Sequence, residues 1–332
     1  MKINSNWNIL GHKWAVDLLR GQLNNNRIRH AYLITGPQGV GRRTLALRLA
    51  QAINCPEPPE AGVPCGICRA CRLLEKMQHP DLAVIQAEKV GGNLKVDQIR
   101  ELHRTLSLTP YETRYRIALL LRFEEANPSA ANALLKTLEE PPPQVVIILT
   151  AQDSESLLPT IVSRCETLRL RPLSIPKVTA GLENQYKIPS EEAQLLAHIS
   201  GGRPGYALHR HQNPQVMAGR KNSLTDLLKL LSASRVERFS YAETLAKDKS
   251  LLENILQVWA SFWRDVMLIS AGASPPITHL DLKAEIEILA GKLDLTKTSE
   301  MVNLLENSQR QLKRYVNTRL ILEVLMLKLP RI

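Results

Sequence analysis

Aromatic side chains are scarce in this chain: four Trp, seven Tyr and three Phe make up 4% of 332 residues. That is too few for a surface built mainly to stack single-stranded bases. Long apolar stretches are missing as well. No window approaches the roughly 20 apolar residues of a membrane helix, and Met1 to Asn8 lacks the apolar core of a signal peptide. A cytoplasmic protein with no membrane partner is the expectation. Internal repeats and low-complexity segments are also lacking. Cysteine is rare, five residues in all. In a reducing compartment so few are not expected to form a disulfide framework, so their spacing points to metal instead.

Charge is plentiful but mixed. The 43 basic and 32 acidic residues leave a formal net charge of +11, which suits proximity to a polyanion or simply a solvated basic surface. The length allows two or three domains. In the first half, short apolar runs alternate with helical patterns, as a parallel sheet with covering helices requires. Strands are predicted at Ala31 to Thr35, Leu82 to Ile85, Ile117 to Leu121, Val145 to Thr150 and Thr167 to Leu170. A helix over Ala130 to Glu140 is stopped by Pro141, Pro142 and Pro143. After Pro172 helical periodicity takes over. A small helical unit closes on a turn at Gly201-Gly202-Arg203-Pro204-Gly205, and one long final helix is predicted from Val302 to Leu329, with Tyr315 on its apolar stripe.

The first strand runs into Gly36-Pro37-Gln38-Gly39-Val40-Gly41. Strand, glycine loop and helix predict a P-loop α/β domain. A working loop of this kind wraps phosphates with backbone N–H groups, reaches them with a lysine and holds magnesium on a Ser or Thr hydroxyl. Here the two positions after Gly41 are Arg42 and Arg43, and Thr44 stands one residue too late. A guanidinium does not freely replace an ammonium. The metal-binding carboxylates are missing too, because the strand Ile117 to Leu121 runs directly into Arg122 and Phe123. Glu124 and Glu125 follow where solvated helix-start charges are the simpler reading. The chain is therefore expected to lack ATPase activity of its own, and ATP binding is doubtful.

Cys55, Cys65, Cys68 and Cys71 form C-x9-C-x2-C-x2-C in a loop rich in Pro and Gly. Such a loop cannot bury a core alone, and a closed tetrahedral thiolate site would order it. Structural zinc is favoured, although C-x2-C-x2-C also occurs in iron–sulfur ligation. Cys165, remote from these, reads as a buried apolar thiol. His12, His30 and His79 flank the presumed cleft with no visible triad partner, and read as packing or hydrogen-bonding residues.

Asn132-Ala133-Leu134-Leu135-Lys136-Thr137-Leu138-Glu139-Glu140-Pro141-Pro142 and Ser163-Arg164-Cys165, in that order after the glycine loop, resemble the clamp-loader branch of the AAA+ superfamily. Leu10-Gly11-His12 and His79-Pro80-Asp81 fit the same pattern, which covers residues 8 to 211 well. The cysteine insert resembles that of bacterial delta-prime and gamma/tau subunits of DNA polymerase III. Gamma/tau subunits keep the lysine, threonine and Asp-Glu that are absent here, which selects the delta-prime branch. The resemblance implies an AAA+ domain over 1–171 with a zinc module at 55–71, a helical lid over 172–211 and an all-α collar over 212–332. It also implies a non-hydrolysing subunit that supports loading of the sliding clamp on primed DNA beside gamma/tau and delta partners. Arg164 would be an arginine finger aimed at a neighbour's ATP. Gly36, Gly39, Gly41, Arg42, Thr44 and Arg203 would line the degenerate nucleotide site. Two other functions compete: an ATP-binding or active ATPase of gamma/tau type, and a stand-alone zinc-dependent nucleic-acid-binding protein.

Overall fold

The computed structural model describes residues 4–274, 276–312 and 317–332. Compactness divides it into two units, Met1–Val178 with Gly202–Tyr206, and Thr179–Gly201 with Ala207–Ile332.

In the first unit, α1 (Lys13–Asn24) precedes β1 (Ala31–Thr35), α2 (Arg42–Asn54), α3 (Arg69–Glu75), β2 (Leu82–Ile85), α4 (Val96–Leu106), β3 (Arg116–Leu120), α5 (Pro128–Glu139), β4 (Val145–Ala151), α6 (Pro159–Val162) and β5 (Glu166–Arg169). The strands pair in parallel in the order β2-β3-β4-β1-β5. The alternation of the pleat sends Tyr32, Ile34, Val146, Ile148, Ile117 and Leu119 to one face, where α1 and α2 cover them. Ala31, Leu33, Ile147, Leu149, Ala118 and Leu120 go to the other, against α4 and α5. Both faces are thus dry, which is why these strands read as uninterrupted apolar runs. All five predicted strands are present, as is the helix stopped by the three prolines.

Asp81, fully buried before β2, orders the loop leading into β3. It accepts bonds from the N–H groups of Tyr111, Glu112 and Thr113 and from Arg116.

The second unit is helical. α7 (Ile175–Tyr186) begins in the first unit and ends in the second. α8 (Ser190–Ser200) ends on the left-handed glycines Gly201 and Gly202. The predicted closing turn is therefore shorter than expected, because Pro204 suits the first turn of a helix and opens α9 (Pro204–Gln212). Then follow α10 (Pro214–Ser232), α11 (Arg235–Leu245), α12 (Lys249–Ser270), α13 (Lys283–Lys292), α14 (Leu295–Leu312) and α15 (Thr318–Lys328). The single long final helix is corrected to two. Asn317 has a non-helical backbone and its Oδ1 accepts the N–H of Arg319 and Leu320, so it caps a new helix. Tyr315 lies outside the described residues. Trp259, Phe262 and Trp263 are fully buried in the core of this unit. No described helix is long and apolar enough to cross a membrane.

A buried polar chain runs through the same unit. Arg220 Nη2 donates to His279 Nδ1 at 2.6 Å, and His279 Nε2–H therefore faces Ser261 Oγ at 2.7 Å. Arg220 also forks onto Asp281, at 2.7 Å twice, and Asp265 accepts the N–H groups of Thr278 and His279. Burial, reinforced by Arg220, holds the His279 imidazole down to about 3. An unfolded histidine takes its proton near 6.5. Below about pH 6.5 the unfolded chain binds a proton that the folded chain refuses, so His279 costs about 1.4 kcal/mol of stability per pH unit down toward pH 3. Urea midpoints followed by Trp emission should fall less steeply with acid in His279→Gln; equal slopes would mean that the imidazole is not held neutral.

Candidate functional site

The glycine loop takes its expected place between β1 and α2. Gly36 N–H donates to Ala151 O and Gln152 O, and a side chain there would run into Leu170 O. Gly41, at φ 113°, precedes the first residue of α2. Gly39, at φ 82°, meets a close neighbour: its carbonyl accepts the Gly205 N–H at 2.8 Å, and a Cβ on it would lie 2.8 Å from Tyr206 Cβ. The start of α9 therefore rests directly on the loop. Arg203, at that start, lies over the Tyr206 ring at 4.5 Å. His12 Nε2–H donates to Val40 O at 3.0 Å, and burial lowers its pKa.

Arg42 is buried, whereas Arg43 and Thr44 are exposed. Arg42 Nη1 stands 4.0 Å from Glu124 Oε1, with both side chains largely covered. Burial lowers the Arg42 pKa and raises that of Glu124. The expectation that Glu124 and Glu125 are solvated is thus overturned. Phe123 is apolar and packs into the core at 1% exposure, which forces Arg122 into a left-handed turn at φ 52°. That turn folds the two carboxylates back. Glu124 faces Arg42, and Glu125 Oε1 accepts from Arg122 Nε at 2.9 Å and Gly91 N–H at 2.8 Å. The apolar residue after Arg122 was the only hint in the sequence.

Arg164 follows α6. Its Nη1 donates to Thr160 O at 2.9 Å and its Nη2 pairs with Glu139 at 2.7 Å, both side chains partly exposed. Cys165 is half-buried, and burial pushes its thiol up to about 12.

The four cysteines come together. Cys55 ends α2, Cys65 and Cys68 sit in the loop, and Cys71 lies on α3, with all four Sγ atoms within 4.8 Å of one another. A tetrahedral ion at about 2.3 Å from each sulfur needs sulfur separations of about 3.8 Å; Cys65 and Cys71 stand at 3.9 Å. Backbone N–H groups already point at sulfur: Cys65 N–H to Cys55 Sγ, Cys68 N–H to Cys65 Sγ and Cys71 N–H to Cys68 Sγ. Burial would raise Cys65, but the N–H groups of Cys68 and Ile67 and the neighbouring thiols outweigh it and bring it to about 7. Burial pushes Cys55 and Cys71 up. This donor set can hold a metal ion, since thiols this close cannot all ionise without a cation between them. The surroundings brace it: Trp7 Nε1–H donates to Gly62 O, and Gln51 donates to Cys71 O. Sequence reading missed both braces. His79 is buried, with Nδ1 accepting the Asp81 N–H and Nε2 3.3 Å from Glu112.

Two family models match, one described as DNA polymerase III, delta subunit, over residues 11–174, and one as the C-terminal part of the delta subunit, over 214–330. The DNA polymerase III subunit delta' of Pseudomonas aeruginosa is 40% identical over 205 residues, covering 59% of this chain and 61% of that protein. The delta' subunit of Bacillus subtilis is 28% identical over 319 residues, 95% of each chain. The chain belongs to the delta-prime family of DNA polymerase III clamp-loader subunits. A solved gamma subunit-related protein from Thermotoga maritima shares the fold, with a TM-score of 0.51 at 18% identity, covering 95% of this chain and 97% of that one. Delta-prime membership agrees with the α/β domain, the helical C-terminal part and the cysteine cluster expected of it.

Proposed function

We propose that this chain is the non-hydrolysing member of a clamp-loader ring. It would stand beside gamma/tau and delta subunits in the cytoplasm, support loading of the sliding clamp on primed DNA, and hold structural zinc on Cys55, Cys65, Cys68 and Cys71. Residues 172–211 would act as a lid and 212–332 as the collar that joins the ring. The observation that carries the reading is the Arg42–Glu124 pair, because it sets a carboxylate against the cation that ought to meet phosphate. The seat of Gly205 on Gly39 and the lack of an acid at Leu121 and Arg122 support it. Arg164 would act in trans, releasing Glu139 to stabilise charge on a neighbour's transferred phosphoryl group.

A second reading, ATP retained without turnover, is favoured by one atom: Arg42 Nη1 is buried and has no hydrogen-bond partner. Radiolabelled ATP separates the two readings. The isolated chain is expected to show no turnover and no saturable binding, and binding without turnover would favour the second. In the assembled loader Arg164→Ala should lower ATPase by roughly 10³-fold or more at the site it faces and leave assembly intact; unchanged turnover rejects the finger.

A further inference from the structure

Beside the nucleotide loop, the first unit has a cleft of about 630 Å³ that no part of the proposed role uses. It is lined by Gly11, His12, Pro172 and Leu173, by Lys13 and Trp14 from the first turn of α1, by Arg169 at the end of β5 and Arg171 just beyond it, and by Lys177 from α7. The placement follows from local rules. Leu168 and Leu170 are buried at 1%, so the strand alternation turns Arg169 and Arg171 outward together. Gly11 sits at φ 76°, and a side chain there would strike Leu173. None of the lining residues is acidic. Among the described residues, no carboxylate pairs with Lys13, Arg169, Arg171 or Lys177. By contrast, Arg29 and Arg164 of the same unit are both paired.

Four unneutralised cations converge on one opening, and Trp14 stands among them at 51% exposure. Roughly half of this residue is open to solvent beside the cleft. An acidic peptide would satisfy the cations and leave the ring bare, while a duplex hides its base faces within its own stack. A single strand offers both phosphates for the cations and an open base face for the ring.

We propose that this cleft binds single-stranded DNA, with phosphates on Lys13, Arg169, Arg171 and Lys177 and a base stacked on Trp14. The proposal goes beyond the clamp-loader reading and does not depend on it. Trp7, Trp259 and Trp263 are fully buried, so Trp14 reports on the cleft in the whole chain without a label. Titration with a dT oligonucleotide of about 12 residues is expected to quench the accessible part of the emission, more weakly as salt rises. Arg171→Glu with Lys177→Glu should remove the quench, and each lost phosphate contact should lower the salt slope by about 0.7. Trp14→Ala should weaken binding of a labelled oligonucleotide roughly 5- to 100-fold. Lys292→Glu with Lys297→Glu, the same charge change in the second unit, should leave the quench intact. The proposal fails if dT does not quench, if the control pair weakens binding equally, or if dTMP or polyglutamate quenches as well as the oligonucleotide. Because the isolated chain is used, failure here leaves the clamp-loader reading standing, and loss of that reading leaves this result standing.

Discussion

Cys71→Ser is expected to release the metal and loosen residues 55–76 while the sheet and the helical unit stay folded. Cys71 is fully buried on the short helix α3, and its sulfur is one of only four donors in the cluster. The loop between Cys55 and Cys68 has four prolines and two glycines at positive φ, and little side chain to pack. In zinc-finger peptides the metal contributes about 10–16 kcal/mol, which is in effect the folding energy. Here the module is attached to a folded sheet and braced by Trp7 and Gln51, so only its local order is at stake. Hydrogen exchange should lose at least about 100-fold protection there, equivalent to about 2.7 kcal/mol. Metal analysis of the wild-type chain should return one zinc per chain. Iron with visible absorption would replace zinc by a cluster, and unchanged exchange in the serine variant would remove the structural role.

The second large effect concerns Arg238. The residue is 6% exposed, and its guanidinium donates to five carbonyls: Leu230 O, Leu231 O, Met326 O, Leu329 O and Pro330 O. These are the last-turn carbonyls of α10 and the end of α15, the groups that a helix leaves unsatisfied and where its dipole is negative. One cation thus finishes two helices, with no carboxylate in ion-pair range among the described residues. Arg238→Met should cost about 3–5 kcal/mol, because the carbonyls, four of them in buried bonds, lose their donors. Arg238→Lys should recover little, since a single ammonium cannot span that fork. The urea midpoint read from Trp259 and Trp263 emission would show it; a loss below about 1 kcal/mol would mean that water replaces the guanidinium.

Legibility differed from one kind of residue to another. The strands were readable because burial on both faces writes an uninterrupted apolar run. The cysteine cluster was readable because its four thiols fall within one short stretch of sequence rich in Pro and Gly. Glu124 was misread, since strand, turn and carboxylate look alike on paper whether the turn folds back or projects outward. The break between α14 and α15 was missed because the leucine spacing continues across it, and only the cap at Asn317 marks the restart.

By itself the sequence determined the composition-level exclusions, the α/β first half, the missing lysine, hydroxyl and acid of the phosphate loop, and the four-sulfur donor set. Each of these depends on residue type at short chain separation, which one dimension records. Only the tertiary structure decided that Arg42 meets Glu124 some eighty positions along the chain, that Gly205 lies on Gly39, that one arginine closes two helices, and that four cations gather around Trp14. Those pairings depend on which surfaces burial brings together, and that is set by the packing of the whole domain rather than by any neighbour in sequence.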